Sequence, residues 1–237
     1  MARIAVDIDS TLYDFETPAR EGFLALAEKY GDKSLFQGAY HPWTEWRSPA
    51  DVCGLGIWME VIGLCHDADV ISQQVPFAGS VETCQALIRE GHDLVYVSNR
   101  DTESTEATIE WLDKHGFLCT PGGTFLGEDA VVCMMDDKKP FLKDCQYLID
   151  DRPKTCIEFV FDFEWEERNR EVALGYSDPQ SVYDENVRRA FVKSYPYNQN
   201  LTDISHLYLA PTWAGLNFYL AGKGVLSEPA VTPALKV

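Results

Sequence analysis

Three observations predict an α/β chain built on a parallel sheet. Short apolar runs recur along the 237 residues, helical stretches alternate with them, and three of the runs stop at polar, chemically reactive side chains. Strand–helix–strand repetition of this kind winds into a Rossmann-like parallel sheet in the right-handed sense. The length and a hydrophobic fraction of 46% allow a sizeable core, in one domain or in one domain carrying a smaller insertion.

The elements follow in order. "RIAVDID" is the first buried strand, and the catalytic core is expected to hold residues 1–15 and 78–237. Residues 16–77 have a different texture: "REGFLALAEKYG" is helical, and "YHPWTEWRSPADVCGLGIWMEVIGLC" is aromatic and irregular before turning helical. This stretch reads as a small, mainly helical cap inserted after the first strand. "SVETCQALIREG" has apolar residues at helical spacing and a stop at Gly91. "DLVYVSNR" is a second buried strand, followed by the amphipathic "STEATIEWLDKHG", closed by Gly116. "AVVCMM" and "QYLIDD" are the third and fourth strands. Residues 157–190 are charged and aromatic by turns and read as an insertion, a hairpin or an excursion. "HLYLAPTWAGLNFYLAG" reads as a last strand or loop and then a helix, and 226–237 as a loose tail.

Polar residues stand where three strands end: Asp7 and Asp9; Ser98, Asn99 and Arg100; Asp150 and Asp151. Ligands of open parallel sheets sit beyond the carboxyl ends of the strands, so three separate stretches converge on one crevice. An ionised Asp7 can attack phosphorus and form an aspartyl-phosphate. A second carboxyl, Asp9, can protonate the leaving oxygen and later take a proton from water. Two carboxylates this close repel, which calls for a divalent cation. Mg²⁺ suits Asp7, Asp9 and Asp150 as its ligands, because it favours a few carboxylates, a carbonyl, waters and a phosphate oxygen. Ser98, Asn99 and a lysine would bind the transferred phosphoryl oxygens. Each piece alone has a plainer explanation: DxD as a surface turn, Ser98 as a helix cap, Asp-Asp-Arg-Pro as a turn.

"DIDST", "VSNR", a lysine within "DDKKPFLKD" and "LIDDRP" resemble, in order, the four motifs of the haloacid dehalogenase-like (HAD) hydrolase superfamily. The resemblance implies Asp7 as nucleophile, Asp9 as acid/base with its backbone carbonyl near Mg²⁺, Ser98 on the phosphoryl group and Asp150 on the metal. Thr11 and Asp151 would stand behind these and orient them. Lys138, Lys139 and Lys143 all qualify as the lysine; Lys139 fits the spacing to the last motif best. Ser10 stands where the pattern more often has glycine, a mild change in a small side chain. Within the superfamily the chain looks most like the 5′(3′)-deoxyribonucleotidases, on "DIDSTLYDFE" and "IDDRP". "YPYNQN" and "PTWAGLNFYL" fit that likeness loosely.

The expected activity is a Mg²⁺-dependent phosphomonoesterase, most specifically a 5′-nucleotidase. The alternatives are a phosphatase for polynucleotide 3′-ends or sugar phosphates, and a nucleotide-binding protein without turnover. Aromatic side chains stack on bases at about 1–3 kcal/mol each. Phe15 leads this group, with Trp43 and Trp46 after it, and Tyr40 and Trp58 as weaker candidates. Arg100 reaches either the phosphate or a neighbouring acid. The five histidines show no ligand spacing and read as ordinary residues.

Net charge bounds the partners. At −18, with a sequence pI near 4.5, the surface disfavours duplex nucleic acid, which is held by many Lys and Arg contacts. The expected partner is a small phosphomonoester, with a homodimer as a possible assembly. No apolar run reaches the roughly 18 residues of a membrane span. "MARIAVDIDS" is unlike a secretory signal, and seven cysteines without a CxxC pair read as reduced thiols, so the expected location is the cytoplasm.

Overall fold

The computed structural model describes residues 1–40, 48–119, 126, 130–133, 138–161, 188–201, 204 and 206–230. Six strands form one all-parallel sheet: β1 (Arg3–Asp7), β2 (Asp93–Ser98), β3 (Val131–Cys133), β4 (Tyr147–Asp150), β5 (Arg189–Lys193) and β6 (Leu207–Ala210). Their order is β3-β2-β1-β4-β5-β6. The chain winds one way from β1 to β3 and the other way from β4 to β6, so the topological switch lies between β1 and β4.

The strands read as continuous apolar runs because both faces are covered. Ile4 and Val6 of β1 join one core layer and Ala5 the other; Leu94 and Tyr96 of β2 likewise oppose Val95 and Val97. Flanking helices α6 (Ser80–Arg89) and α7 (Thr105–Lys114) end as their sequence predicts. Gly91 and Gly116 follow them at φ +86° and +82°, a conformation that disfavours any Cβ.

Among the described residues, five helices occupy the stretch between β1 and α6: α1 (Glu16–Tyr30), α2 (Phe36–Tyr40), α3 (Ser48–Cys53), α4 (Leu55–Cys65) and α5 (Ala68–Gln73). Trp58 of α4 stacks on Phe23 of α1 with ring centroids 5.9 Å apart. Trp58 is thus buried in the packing between these helices, and Tyr40 is exposed. The chain leaves the sheet and returns along neighbouring paths. Tyr13 bridges Pro76 antiparallel, and the Phe77 N–H donates to the Leu12 carbonyl at 2.7 Å.

In the C-terminal half two expected segments differ at their ends and a third takes one of its two expected forms. The ends of the stretch 157–190 belong to the core: 157–161 lie in a helix over 153–161 (α9), and Arg189 and Ala190 open β5. Most of the remainder, 162–187, lies outside the described residues. "HLYLA" supplies a strand, β6, and the Trp-bearing segment is α10 (Trp213–Gly222). The start of the expected loose tail is tied down: Leu226 is buried, the Ser227 hydroxyl donates to Glu90 at 2.8 Å, and the Ala230 N–H reaches Asn217. A short α8 (Lys139–Leu142) precedes β4. No helix among the described residues is long and apolar enough to cross a membrane. Cys53, Cys65, Cys84, Cys119, Cys145 and Cys156 are free thiols.

Candidate active site

β1 ends at Asp7, and the following turn places three carboxylates together. One carboxylate oxygen each from Asp7, Asp150 and Asp151 lie within 4.8 Å of one another, all in buried residues. The turn is pinned from several sides. The Tyr195 hydroxyl donates to the Ser10 carbonyl at 2.7 Å, and the Trp213 indole N–H donates to the Thr11 carbonyl at 2.8 Å. Ser10 has φ +61°, the left-handed region where a side chain is disfavoured. Backbone conformation, and not side-chain size, is thus what favours glycine at this position. The Thr11 hydroxyl lies 3.0 Å from Asp7 and 3.3 Å from Asp151, linking β1 to the β4 turn. Asn198 donates to the Asp151 carbonyl at 2.8 Å, and the Arg152 N–H holds Asp150 at 2.7 Å.

The lysine at these carboxylates is Lys138, not Lys139. Its buried ammonium contacts Asp7 and lies 3.1 Å from Asp150. Lys138 is the residue before α8, whereas Lys139 is its first helical residue. Burial pushes Asp7 up; Lys138 pulls it back, while Asp150 and Asp9 push it further, to about 7. Burial works against the Lys138 charge, but Asp150 and Asp7 more than offset it and hold the ammonium protonated.

Asp9 faces a different set of partners. The Arg100 guanidinium lies 2.9 Å from its carboxylate, the Ser98 hydroxyl donates to it at 2.9 Å, and the Tyr13 hydroxyl donates as well. Arg100 is fully buried and also reaches Thr108 at 2.7 Å and the Tyr13 oxygen at 2.9 Å. Of the two roles open to Arg100, the structure therefore shows the pairing with an acid. Burial works to raise the Asp9 carboxyl, yet Arg100 and then His66 hold it well below the usual carboxylate range. His66 sits 3.9 Å from Asp9 at the C-terminal end of α4. Burial keeps its imidazole below the ordinary value against the pull of Asp9. Its position comes from α4 and not from any spacing between histidines, which is why sequence reading passed it over.

A cavity of about 250 Å³ opens over Asp7, Asp9, Asp150 and Lys138. Asn99, exposed at the end of β2, lines it, as do Asp101 and Arg152. The opposite wall is apolar: Met59, Ile62 and Gly63 of α4, with Phe15 beside them. Phe15 is only 2% exposed, its ring 6.0 Å from the His66 ring, so little of its face is open for stacking. Trp43 and Trp46 lie outside the described residues.

Mg²⁺ fits this oxygen-only set: three buried carboxylates stand together, and Lys138 bridges two of them. Asp151 is part of the set, whereas the Asp9 side chain is turned to Arg100.

No protein-family model matches the chain. A curated protein, "Putative nucleotidase" from Bacillus cereus, is 35% identical over 81 residues, 33% of this chain; the match spans 40% of that protein's length. Among solved structures, an HAD family hydrolase from Deinococcus radiodurans with bound phosphate and sodium covers 96% of this chain and 98% of its own at TM-score 0.53 and 12% identity. CbbY from Rhodobacter sphaeroides, as a variant in complex with xylulose-(1,5)bisphosphate, covers 91% and 99% at TM-score 0.52 and 12% identity. The six-stranded parallel sheet, its strand order and these likenesses agree: the chain has the fold of the HAD hydrolases.

Proposed function

We propose that the protein is a Mg²⁺-dependent phosphomonoesterase whose substrate is a nucleoside 5′-monophosphate. The observation that carries this reading is Asp7: a carboxylate at the end of the central strand, contacted by Lys138, beside two further buried carboxylates, at the floor of a cavity with an apolar wall. A phosphomonoester needs a charged floor and, for a nucleoside, an apolar flank. The HAD hydrolase neighbour with bound phosphate and the partial likeness to a nucleotidase support the assignment.

In this reading an Asp7 carboxylate oxygen attacks phosphorus, the bond to the leaving oxygen breaks, and the leaving oxygen takes a proton from Asp9. Water then attacks the aspartyl-phosphate, Asp9 takes its proton, and Asp7 is released with inorganic phosphate. Lys138 and Asn99 face the phosphoryl oxygens, whose charge the site must stabilise. Asp7, Asp150 and Asp151 would hold the metal, which when bound neutralises charge on the transferring group. Ser98 and Arg100 hold Asp9, so they act on the phosphoryl group through it. Asp9 paired to Arg100 is ionised, which suits the base of the second step; the proton it takes from water there is the one it gives to the leaving oxygen in the next turnover.

Phosphate release from dTMP, dUMP, AMP, a sugar phosphate and a 3′-phosphorylated oligonucleotide, with Mg²⁺ and with chelator, tests the reading. Mg²⁺-dependent release from the nucleoside monophosphates is expected. Release only from the sugar phosphate or the oligonucleotide would reassign the substrate. Nucleotide binding with no release from any ester would mark a binding protein.

A further inference from the structure

Helix α4, "LGIWMEVIGLC", is apolar apart from Glu60, which pairs with Lys29 at 2.8 Å, and two of its faces do different work. Trp58, Val61 and Cys65 are buried, Trp58 against Phe23. Met59, Ile62 and Gly63, with His66 at the helix end, recur at helical spacing and line the cavity over the carboxylates. Glycine within a helix costs roughly 0.5–1 kcal/mol relative to alanine. It is usually kept for close packing or for a positive φ. Gly63 shows neither. A Cβ built on it meets nothing within 4 Å, and its φ is not in the left-handed region, so it does not cap the helix. Gly22 shows the contrast, since its Cβ would stand 3.2 Å from Val61. Gly56 of the same helix is equally open but stands away from the cavity, whereas Gly63 lines it, so a side chain at 63 would extend over its wall.

We propose that Gly63 is a specificity-determining residue: it leaves bare helix backbone where the substrate's leaving group lies flat, between Met59 and Ile62, and so sets how large that group can be. The chemical class it admits is a planar, mostly apolar moiety attached to the phosphoryl group. The proposal rests on the phosphomonoesterase reading for its kinetics, but its binding arm does not.

The experiment compares Gly63→Ala, Gly63→Leu and Gly56→Ala, using dTMP, a phosphomonoester, as the bulky substrate and acetyl phosphate, an acyl phosphate, as the small one. Gly56 lies on the same helix, also meets nothing within 4 Å of a built Cβ, and does not line the cavity. Gly63→Leu is expected to raise KM for dTMP about tenfold or more, the scale of misfit in an apolar pocket. Gly63→Ala should do so less, and acetyl phosphate kinetics should stay at wild-type values. Gly56→Ala should leave both substrates unchanged. Equal loss on both substrates, or no change on dTMP, overturns the proposal. If the wild-type protein releases phosphate from neither substrate, the enzymatic reading fails, and calorimetric binding of dTMP decides for Gly63. Weaker binding to Gly63→Leu than to wild type then supports the proposal; equal or absent binding overturns it.

Discussion

Lys138→Met removes a buried ammonium and keeps the length of the side chain. Lys138 contacts Asp7 and sits 3.1 Å from Asp150, and all three residues are almost completely covered. Removing one partner of a buried ion pair costs about 3–5 kcal/mol, because the charge left behind has neither water nor a counter-ion. For a domain of this size 1 kcal/mol moves Tm by about 2–4 °C, so the chelated variant should melt roughly 6–20 °C below wild type. Mg²⁺ at about 100 times its Kd adds about 2.7 kcal/mol to a protein that binds it only when folded. The variant, with more uncompensated charge, should gain more from the metal than wild type does. Lowering the pH should also narrow the deficit, because Asp7 can take a proton in place of the missing ammonium. Thermal melts in EDTA and in Mg²⁺, at pH 5.5 and 8, measure all of this, with Lys139→Met as the neighbouring control. A Lys138→Met protein that melts with wild type in EDTA, or a Lys139→Met protein that falls as far, would refute the reasoning.

Three further outcomes follow from the site. Asp7, raised from an unfolded value near 3.8 to about 7, binds its proton in the folded protein over that interval, so its contribution to metal-free stability falls as pH rises from about 4 through 7. Metal binding must expel that proton, and apparent Mg²⁺ affinity, read by titration calorimetry, should rise about tenfold per pH unit below 7 and level off above it; constant affinity from pH 5.5 to 8 contradicts this. Ser10→Gly relieves a left-handed residue worth roughly 1–2 kcal/mol but gives back about 0.5–1 kcal/mol in chain entropy, so urea denaturation should show a gain of no more than about 1.5 kcal/mol. Ser10→Val should lose stability in the same assay, since a branched side chain is an outlier at φ +61°.

The strands that build the site were legible because burial on both faces writes them as uninterrupted apolar runs ending in a polar side chain: Val6 into Asp7, Val97 into Ser98, Ile149 into Asp150. β5 was hidden by its own ends, since Arg189 and Lys193 flank only three apolar residues and a charged stretch precedes them. The Asp-x-Asp turn was visible as a pattern, but the separation of its two carboxylates into different networks was not. Spacing cannot say that Asp7 faces Lys138 while Asp9 faces Arg100, because that depends on a turn pinned by Tyr195 and Trp213, nearly two hundred residues away. The choice between Lys138 and Lys139 fails for a local reason: adjacent residues at a helix start point apart, and composition is blind to direction. His66 became a site residue only because α4 crosses the cavity. Phe15, expected to stack on a base, lines that cavity, but its near-complete burial could not be read from its position in the chain.

The central claim is that Asp7 carries the phosphoryl group, and a crystal grown with Mg²⁺ and beryllium fluoride tests it most directly. The account predicts a beryllium adduct on an Asp7 carboxylate oxygen, Lys138 in contact with its fluorines, and the cation on Asp150. An unmodified Asp7 beside an adduct on another side chain, or a cation bound away from Asp150, would contradict it.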